Sequence, residues 1–430
     1  MIAQAGADPI GGLVWGVAAT SVVALPMYAA RVRGRAYAIF GLVILLLSFP
    51  GALAMHVRLV AWLPPAWVPA AHVAFAASFL AAGAHLVSLV RARLRPPAFR
   101  WLVSIPGMAF IAAGALSGLW LLLLLPLRAL LHGLGLEAPL LALRWLDLVP
   151  FALAAASVVT SLRLPRETVR IRLDEVAHPE LVRVPVERHR TASAPRLPDR
   201  PLRIAQISDP HLGPWQPEGT LRARVAELVA HAPDLVLLTG DFLTMEGAGT
   251  PGALARALAP LRELRGRCFA IFGNHDHESP DEVRSALAAN GVRLLVDEAA
   301  QLETRTGPVQ IVGADYVGRG RRAHLASLLA RFPRADGALR ILLLHDPLGF
   351  PLVPRDDVDL VLSGHTHGGQ LGLVSLGIDW TVLSRTRWPD HGLFGLGRTR
   401  LYVHRGTGFY GFPLRIGVPG ELSLLEILPG

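Results

Sequence analysis

The pattern of apolar and polar residues divides this chain of 430 residues into two halves. In the first 165 positions, apolar runs recur at close to the roughly 20 residues that a helix needs to cross a bilayer. One such run could be a buried core helix, but five in succession with few charges predict transmembrane helices. The predicted spans are Ile10–Ala30, Ala36–His56, Trp67–Val90, Trp101–Leu125 and Leu140–Leu162. We therefore expect an all-α membrane bundle over residues 1–163.

Beyond residue 200 the pattern changes to short apolar runs that end abruptly in polar residues. These runs are "LRIAQISDPHLG", "DLVLLTGDF", "CFAIFGNHDH", "ALRILLLHDP" and "VDLVLSGHTHGGQ". Stretches typical of helices lie between several of them, at Leu221–His231, Ala253–Arg265 and Asp281–Asn290. Strands that alternate with helices predict a layered α/β domain, which we place at residues 201–430.

The region between the two halves, residues 164–200, is rich in arginine, glutamate and proline. Two alternating stretches within it, "ETVRIRL" and "LVRVPVERH", predict edge strands. The segment "TASAPRLPDRP" is typical of a linker. We expect this region to connect the membrane bundle to the α/β domain.

The net charge of +9 is mostly a property of the membrane half. Residues 1–165 hold 11 arginines against three acids, whereas the remaining 31 arginines face 30 acids. A nucleic-acid-binding surface would need a basic excess on the soluble half, so we expect no nucleic-acid partner. The single cysteine, Cys268, excludes an intramolecular disulfide and is consistent with a reducing compartment.

The arginines of the membrane half also predict its orientation. They concentrate in the first loop, in the third loop and after the fifth span, at Arg31, Arg33, Arg35, Arg91, Arg93, Arg95, Arg100, Arg163, Arg166, Arg170 and Arg172. The opposite side carries only Arg58, Arg128 and Arg144. By the positive-inside rule, the N-terminus lies outside and the α/β domain lies in the cytoplasm of a multi-pass protein of the cell membrane.

The polar ends of the five apolar runs carry the candidate chemistry. They offer carboxylates, imidazoles and one amide, at Asp209, His211, Asp241, Asn274, His275, Asp276, His345, His365 and His367. The D-x-H and H-x-H spacings let both side chains of a pair point the same way from an extended strand end. This donor set suits divalent ions such as Mn, Fe or Zn, and a carboxylate shared by two ions is the usual core of two-metal hydrolysis.

The motifs "SDPH", "GD", "GNHD", "HDP" and "GHTH" resemble the five sequence blocks of the calcineurin-like metallophosphoesterase superfamily. The resemblance covers about residue 202 to the C-terminus. The longer "GHTHGGQ", with "HGLFGLG", "LYVHRGTGFYGFPLRIGVP" and "ELSLLEI", resembles a bacterial subgroup. That subgroup contains membrane-associated phosphodiesterases and some UDP-2,3-diacylglucosamine pyrophosphatases.

By matching position, the resemblance implies two divalent metal ions, manganese before iron or zinc. It implies one ion on Asp209, His211 and His367, a second on Asn274, His345 and His365, and Asp241 between them. It further implies that His275 protonates or stabilises the leaving oxygen and that Asp276 orients His275.

Other residues of the C-terminal half have two possible interpretations. Arg405 is either a phosphate clamp, since guanidinium matches phosphate oxygens, or a surface strand residue. The late aromatic residues line an acyl or base pocket or belong to the core, and they are Trp388, Phe394, Phe409, Tyr410 and Phe412.

The sequence thus predicts a membrane-anchored, binuclear, metal-dependent hydrolase of phosphoric esters or anhydrides. We expect it to cleave a phosphodiester or pyrophosphate bond of a lipid-linked substrate, such as a UDP-diacylglucosamine-like molecule or a phospholipid. Two alternatives stay open. One is a tethered phosphodiesterase for a soluble substrate, and the other is a membrane sensor or scaffold whose phosphoesterase fold does not turn over.

Overall fold

The computed structural model describes residues 9–173, 178–185, 187–190, 201–412 and 414–428. The chain forms two compact units, residues 1–159 with 411–414 and residues 160–410 with 415–430. The helices of the first part are α1 (Pro9–Val32), α2 (Arg35–Trp62), α3 (Val68–Ser88), α4 (Ile105–Gly133), α5 (Glu137–Ala142) and α6 (Val149–Leu162). Short helical turns extend α3, α4 and α6, at Pro65–Trp67, Leu89–Arg91, Pro97–Phe99, Arg100–Ser104 and Leu143–Leu148.

With these turns, the helices give five segments that are long and apolar enough to cross a membrane. The segments are Ile10–Val32, Arg35–Trp62, Pro65–Arg91, Pro97–Gly133 and Glu137–Leu162. The prediction of five apolar N-terminal helices is confirmed. The fourth segment, at 37 residues, is longer than the predicted Trp101–Leu125, because the helix continues through Pro126.

Small residues set the packing of α2 against α4. A Cβ atom added at Gly51 would lie 2.2 Å from the carbonyl oxygen of Gly114, and one added at Gly114 would lie 2.4 Å from that of Ser48. Gly114 and Gly118 are four residues apart and so lie on one face of α4. In a membrane, helices associate through such close backbone contact because lipid supplies no hydrophobic driving force between them.

The second unit contains two seven-stranded sheets. Their strands are β1 (Arg166–Arg172), β2 (His178–Arg183), β3 (Glu187–Arg190), β4 (Leu202–Ile207), β5 (Leu235–Leu238), β6 (Cys268–Ala270), β7 (Arg293–Leu294), β8 (Glu298–Thr304), β9 (Gly307–Gly313), β10 (Leu339–Leu343), β11 (Leu360–Ser363), β12 (Gly392–Gly397), β13 (Thr399–Val403) and β14 (Leu422–Leu428). The first sheet has the order β3-β1-β14-β4-β5-β6-β7 and the second β2-β12-β13-β11-β10-β9-β8. Helices α7 (Glu218–Ala230), α8 (Ala253–Ala257), α9 (Pro280–Ala289) and α10 (Arg321–Arg331) accompany them, with a single turn at Met245–Ala248.

The core of this unit lies between the two sheets. Strand β4 runs parallel to β5 and β5 to β6 in the first sheet, while β9, β10, β11 and β13 are parallel in the second. Buried residues of both sheets form one cluster that includes Ile204, Leu235, Ile341 and Leu360. Helix α10 covers the other face of the second sheet through Leu325. Strands covered on both faces account for the continuous apolar runs, and the α/β prediction is confirmed.

The structure changes the interpretation of residues 164–190. Strand β1, within "ETVRIRL", lies inside the first sheet between β3 and β14, so it is not an edge strand. The arginines of β1 suggest an exposed face, but in the structure Arg170 pairs with Glu426 of β14 at 3.2 Å. Val169 and Ile171 of the same strand are fully buried. The stretch "LVRVPVERH" divides between edge strand β2 of the second sheet and edge strand β3 of the first. Nearly all of "TASAPRLPDRP", residues 191–200, lies outside the described residues.

Candidate active site

The nine predicted site residues all follow the carboxyl ends of parallel strands. Asp209 and His211 follow β4, Asp241 follows β5, Asn274, His275 and Asp276 follow β6, His345 follows β10, and His365 and His367 follow β11. These strands belong to both sheets, so the ends of the two sheets supply one site. This is where ligands bind in layered α/β folds.

The first group of candidate ligands contains Asp209, His211 and His367. One donor atom from each lies within 4.8 Å of the others, and all three residues are buried. His367 Nε2 is 3.5 Å from Asp209 Oδ1 and 3.2 Å from His211 Nε2. Three donors converging at this spacing can hold one metal ion.

The second group contains Asp241, His345 and His365, again with donor atoms within 4.8 Å of one another. His345 Nε2 lies 3.2 Å from His365 Nδ1 and 3.2 Å from the amide oxygen of Asn274. Asn274 thus stands beside the second group, where the sequence predicted it.

The Asp241 carboxylate, a member of the second group, also approaches the first group. Its Oδ2 atom is 3.7 Å from His211 Nε2 of the first group and 3.3 Å from His345 Nε2 of the second. A single carboxylate in this position can be shared by two ions, which is the arrangement that two-metal hydrolysis requires.

The backbone at the site is strained. Among the described residues, nine that are not glycine have a positive φ, and five of them are candidate ligands: Asp209, His211, Asp241, His365 and His367. Such conformations cost about 1–3 kcal/mol each and cluster at functional sites, where the surrounding structure enforces them. The strain therefore marks the same residues as the motifs do.

Two glycines allow the loops to approach the carboxylates. A Cβ atom at Gly364, the first residue of "GHTHGGQ", would lie 2.1 Å from Asp209 Oδ2, and one at Gly273 would lie 2.2 Å from Asp241 Oδ1. Neither position accepts a side chain without displacing a carboxylate. This explains why the motifs place glycine directly before a ligand.

The electrostatics of the site fit divalent cations. Burial lowers the pKa of His211 and of His365 to about 4, so both rings are neutral and can coordinate a metal. Burial alone would lower the pKa of His345 as well, but the Asp241 carboxylate raises it to about 10. Among the described residues, no arginine forms an ion pair with Asp209 or Asp241. The cation beside Asp241 is His345, itself a candidate ligand, and buried carboxylates without an arginine partner are expected where a metal supplies the charge.

Hydrogen bonds around the ligands fix their orientation. His345 donates Nδ1–H to the carbonyl oxygen of Thr239 at 2.7 Å, which turns Nε2 towards the site. Asp209 accepts from the Ser208 hydroxyl at 2.5 Å and from the backbone N–H of His365 at 3.1 Å. Such outer contacts are typical of metal sites because they fix the ring tautomer and the carboxylate rotamer.

The predicted pairing of His275 with Asp276 is wrong. Asp276 is fully buried, and its carboxylate accepts backbone N–H bonds from Asp241, Phe242 and Gly273 at 2.7–2.8 Å. The residue beside the His275 ring is Glu278, whose Oε1 lies 2.9 Å from Nδ1. Asp276 thus holds the metal-site loops together, and Glu278, which the motif does not include, orients His275.

The phosphate-clamp interpretation of Arg405 finds no support either. Its side chain is 3% exposed and binds two carboxylates, Glu167 Oε1 at 2.6 Å and Glu421 Oε2 at 2.8 Å. Arg405 is buried, so the second interpretation, a surface strand residue, is wrong as well. A guanidinium held in this way is not available to a substrate. One of its two partners, Glu167, belongs to β1, which lies in the region 164–200 between the two predicted halves.

Sequence reasoning missed the role of Arg415. This buried guanidinium donates to the carbonyl oxygens of Arg405 and Gly408 at 2.8 and 2.7 Å, and it reaches the carbonyl oxygen of His367 at 3.4 Å. It therefore holds the 405–408 loop against a candidate ligand. Arg415 lies within the quoted "LYVHRGTGFYGFPLRIGVP", but no residue spacing singles it out.

The aromatic residues of the late loops separate into core and site. Phe409 is 1% exposed and packs against Trp215 with ring centroids 5.2 Å apart, and Phe394 is also buried. Tyr410, by contrast, stacks on His211 at 5.4 Å and lies 4.7 Å from the ring of His275. On the other side, Tyr316 lies 6.3 Å from His365, although no motif marked it.

A segment directly after "GHTHGGQ" exposes apolar side chains. Among the described residues of the second unit, every exposed large hydrophobic residue falls within 373–388. They are Leu373, Leu376, Ile378, Trp380, Val382 and Trp388. We call this segment the apolar loop. Exposed apolar residues concentrated in one stretch mark an interaction surface, whereas scattered ones do not.

Comparison with known proteins identifies the domain. Residues 202–369 match the family model described as "Calcineurin-like phosphoesterase". "Phosphodiesterase YaeI" of Escherichia coli is 29% identical over 233 residues, which are 53% of this chain and 83% of that protein. The uncharacterized metallophosphoesterase Cj0846 of Campylobacter jejuni is 31% identical over 234 residues, 53% of this chain and 59% of that protein.

A third relative also combines the domain with a membrane part. "Transmembrane protein with metallophosphoesterase domain" of Danio rerio is 30% identical over 263 residues, which are 56% of this chain and 55% of that protein. The chain therefore matches little more than half the length of two of these three relatives. Its α/β domain matches the calcineurin-like metallophosphoesterases, and its five N-terminal helices fit a membrane protein.

Proposed function

We propose that this protein is a membrane-anchored binuclear phosphodiesterase that acts on a lipid-linked phosphodiester or pyrophosphate. The observation that carries the proposal is the pair of three-residue groups, with the Asp241 carboxylate 3.7 and 3.3 Å from an imidazole of each. The name of the E. coli relative supports the phosphodiesterase class.

In this proposal the site holds two divalent ions, manganese before iron or zinc. Asp209, His211 and His367 would hold one, Asn274, His345 and His365 would hold the other, and both could share Asp241. Ions bound there would supply Lewis acidity and activation of water. The protein fixes this geometry through the strained ligand backbone and through the Ser208 and Thr239 hydrogen bonds.

His275 is the proposed general acid. Its ring is 29% exposed, faces Tyr410 and lies 5.7 Å from the ring of His211, so it can reach a leaving oxygen beside the first group. Glu278 holds Nδ1 and so leaves Nε2 to face the substrate. A positioned acid of this kind contributes about 10²–10⁴-fold to a rate.

Two observations support a lipid-linked substrate. Only residues 163–165 separate the end of α6 from the start of β1, the first strand of the second unit (the catalytic unit), and such a connection reaches no more than about 15 Å. The apolar loop, three residues beyond Gln370, offers six exposed hydrophobic side chains that can meet acyl chains. Burial of each methylene group contributes about 0.8 kcal/mol.

The test is a comparison of a diacyl substrate with its deacylated headgroup on the purified, manganese-loaded protein. We expect kcat/KM to be more than tenfold higher for the diacyl form. UDP-diacylglucosamine and glycerophospholipids are the first substrates to test. The double substitution Leu376→Ser and Trp380→Ser should narrow that difference, since both side chains are exposed and removing them leaves the core intact. Arg322→Ser on helix α10 is the matched surface variant, since Arg322 is exposed and lies outside the apolar loop.

Equal rates on both forms, in detergent and in liposomes, would contradict the lipid-linked substrate and favour a tethered phosphodiesterase for a soluble one. No turnover of any phosphodiester or pyrophosphate by the metal-loaded protein would favour the sensor or scaffold. The proposed cytoplasmic orientation has its own test. A reporter that is active only in the cytoplasm should work when fused at Gly430, and activity of an outside-only reporter there would reverse the orientation.

A further inference from the structure

The first unit, which we call the membrane unit, contains an apolar groove with two arginines at one end. The groove has a volume of about 640 Å³ and lies between α1, α2 and α4. Its apolar walls are formed by Trp15, Leu53, Ala54, Val57, Leu121 and Leu125, while Arg58 and Arg128 complete the lining. Because Pro50 also lines it and lacks a backbone N–H, the groove lies where α2 departs from regular helical bonding.

The two arginines share one carboxylate. Arg58 Nε donates to Asp147 Oδ2 at 2.8 Å, and Arg128 Nη2 donates to Asp147 Oδ1. Asp147 is fully buried, so it holds both guanidinium groups in place. Two cations and one carboxylate leave one net positive charge at the polar end of the groove.

Donor capacity also remains unused at this end. Arg128 Nε is buried without a hydrogen-bond partner. Within the described part of the chain, Arg58 donates through Nε alone, and its side chain is 38% exposed. A guanidinium presents five N–H donors in a planar fork that matches phosphate oxygens. The unmet charge and the unmet donors therefore point to an anion with several acceptor oxygens.

The depth of the arginines indicates which anion. Trp62 lies four residues after Arg58 and Trp145 two residues before Asp147, with ring centroids 5.2 Å apart, and tryptophan is enriched at the level of lipid headgroups. Leu53 and Leu125 precede Arg58 and Arg128 in their helices, by five and three residues, so the apolar walls extend towards the middle of the helices and the hydrocarbon.

We propose that this groove binds an anionic phospholipid, with its phosphate on Arg58 and Arg128 and an acyl chain along Leu53, Ala54, Leu121 and Leu125. A charged group within a membrane segment is expensive and is therefore expected to serve a purpose. This site is separate from the metal site and does not depend on which substrate the catalytic unit cleaves.

The experiment measures binding of phosphatidylglycerol to the full chain in a neutral detergent by native mass spectrometry, with phosphatidylcholine of the same chains as the comparison. We expect one tightly bound phosphatidylglycerol and at least tenfold weaker binding of phosphatidylcholine. Arg58→Gln should weaken phosphatidylglycerol binding at least tenfold, because it removes a phosphate donor while Arg128 still neutralises Asp147. Ala54→Phe should weaken it similarly by filling the groove with every charge retained.

Two matched controls separate the site from general effects. Arg144 lies near the same Trp62 and Trp145 rings but does not line the groove, so Arg144→Gln should leave binding unchanged. Ala74 is exposed on α3 and also lies outside the groove, so Ala74→Phe should do the same. All four variants should hydrolyse a small soluble diester at the normal rate, because none touches the metal site.

Three outcomes would overturn the proposal. One is equal affinity for the two lipids, and another is wild-type binding of phosphatidylglycerol by Ala54→Phe. The third is complete displacement of the lipid by an equal concentration of inorganic phosphate, which would indicate an anion site without a role for acyl chains. If Arg58→Gln does not purify as a folded protein, Ala54→Phe and the phosphate competition still decide the question.

Discussion

The two units of this protein bury and expose apolar residues in opposite ways. In the membrane unit, large hydrophobic residues are exposed along every long helix, for example Leu47, Leu80 and Leu122 at 62–68%. In the described part of the catalytic unit, such residues are confined to the apolar loop. Since water penalises exposed apolar surface and lipid does not, the difference records the solvent of each unit. In the apolar loop, the catalytic unit exposes large hydrophobic side chains as the membrane unit does.

Polar groups differ between the units in a parallel way. The catalytic unit concentrates buried imidazoles and carboxylates at one edge, on strained backbone that the surrounding sheets enforce. The membrane unit has few polar side chains to bury, such as the His56–His72 pair at 2.8 Å and the Asp147 carboxylate between two arginines. Buried charge is thus supported by the two sheets in one unit and by helices in the other.

The largest effect is expected from substitutions at the metal site. Asp241→Asn should abolish turnover, by more than about 10³-fold, and lower the bound metal measured by elemental analysis, because the shared carboxylate is lost. His275→Ala should reduce turnover by about 10²–10⁴-fold and leave the metal in place. Equal metal loss in both variants would contradict the roles assigned here. Neither change should affect the membrane unit.

The next effect is confined to the membrane unit. Gly51→Leu should separate α2 from α4, because even its Cβ would approach the Gly114 carbonyl oxygen to 2.2 Å. Overpacking usually costs about 1–3 kcal/mol, and a backbone clash belongs at the upper end. Thermal unfolding in detergent should show this loss. Gly118→Ala is the control, since its Cβ would be 3.7 Å from Gly51 Cα, an ordinary contact. A Gly51→Leu protein as stable as Gly118→Ala would disprove the close crossing.

A third effect is confined to the catalytic unit. Arg405→Gln should leave Glu167 and Glu421 without their buried cation, and breaking a buried pair in this way costs about 3–5 kcal/mol. The melting temperature should therefore fall, whereas KM for a small diester should stay unchanged in the folded fraction. A raised KM at unchanged stability would restore the phosphate-clamp interpretation.

The sequence predicts most of the site because its ligands follow buried strands, where local pattern and three-dimensional position coincide. Strand β1 is predicted as an edge strand and not as an inner one, because its polar face is satisfied by Glu426, a partner 256 residues away that no local pattern shows. Glu278, Tyr316 and Arg415 were missed for the same reason. Their roles arise from side-chain directions and from loops brought together by the fold, whereas the motifs record only spacing along the chain.

The last prediction uses the single cysteine to report on the catalytic unit alone. Cys268 lies in β6, is 1% exposed, and burial raises the pKa of its thiol to about 12. The thiolate is the reactive form, and at pH 8 a pKa of about 12 leaves roughly one thiol in ten thousand ionised. Alkylation in the native protein should therefore be at least about a thousandfold slower than in denaturant, where the pKa returns to about 8.5. Because the membrane unit has no thiol, Gly51→Leu should not accelerate the reaction, while Arg405→Gln should. Rapid labelling of the unmodified native protein would show that β6 opens far more easily than its place inside the first sheet implies.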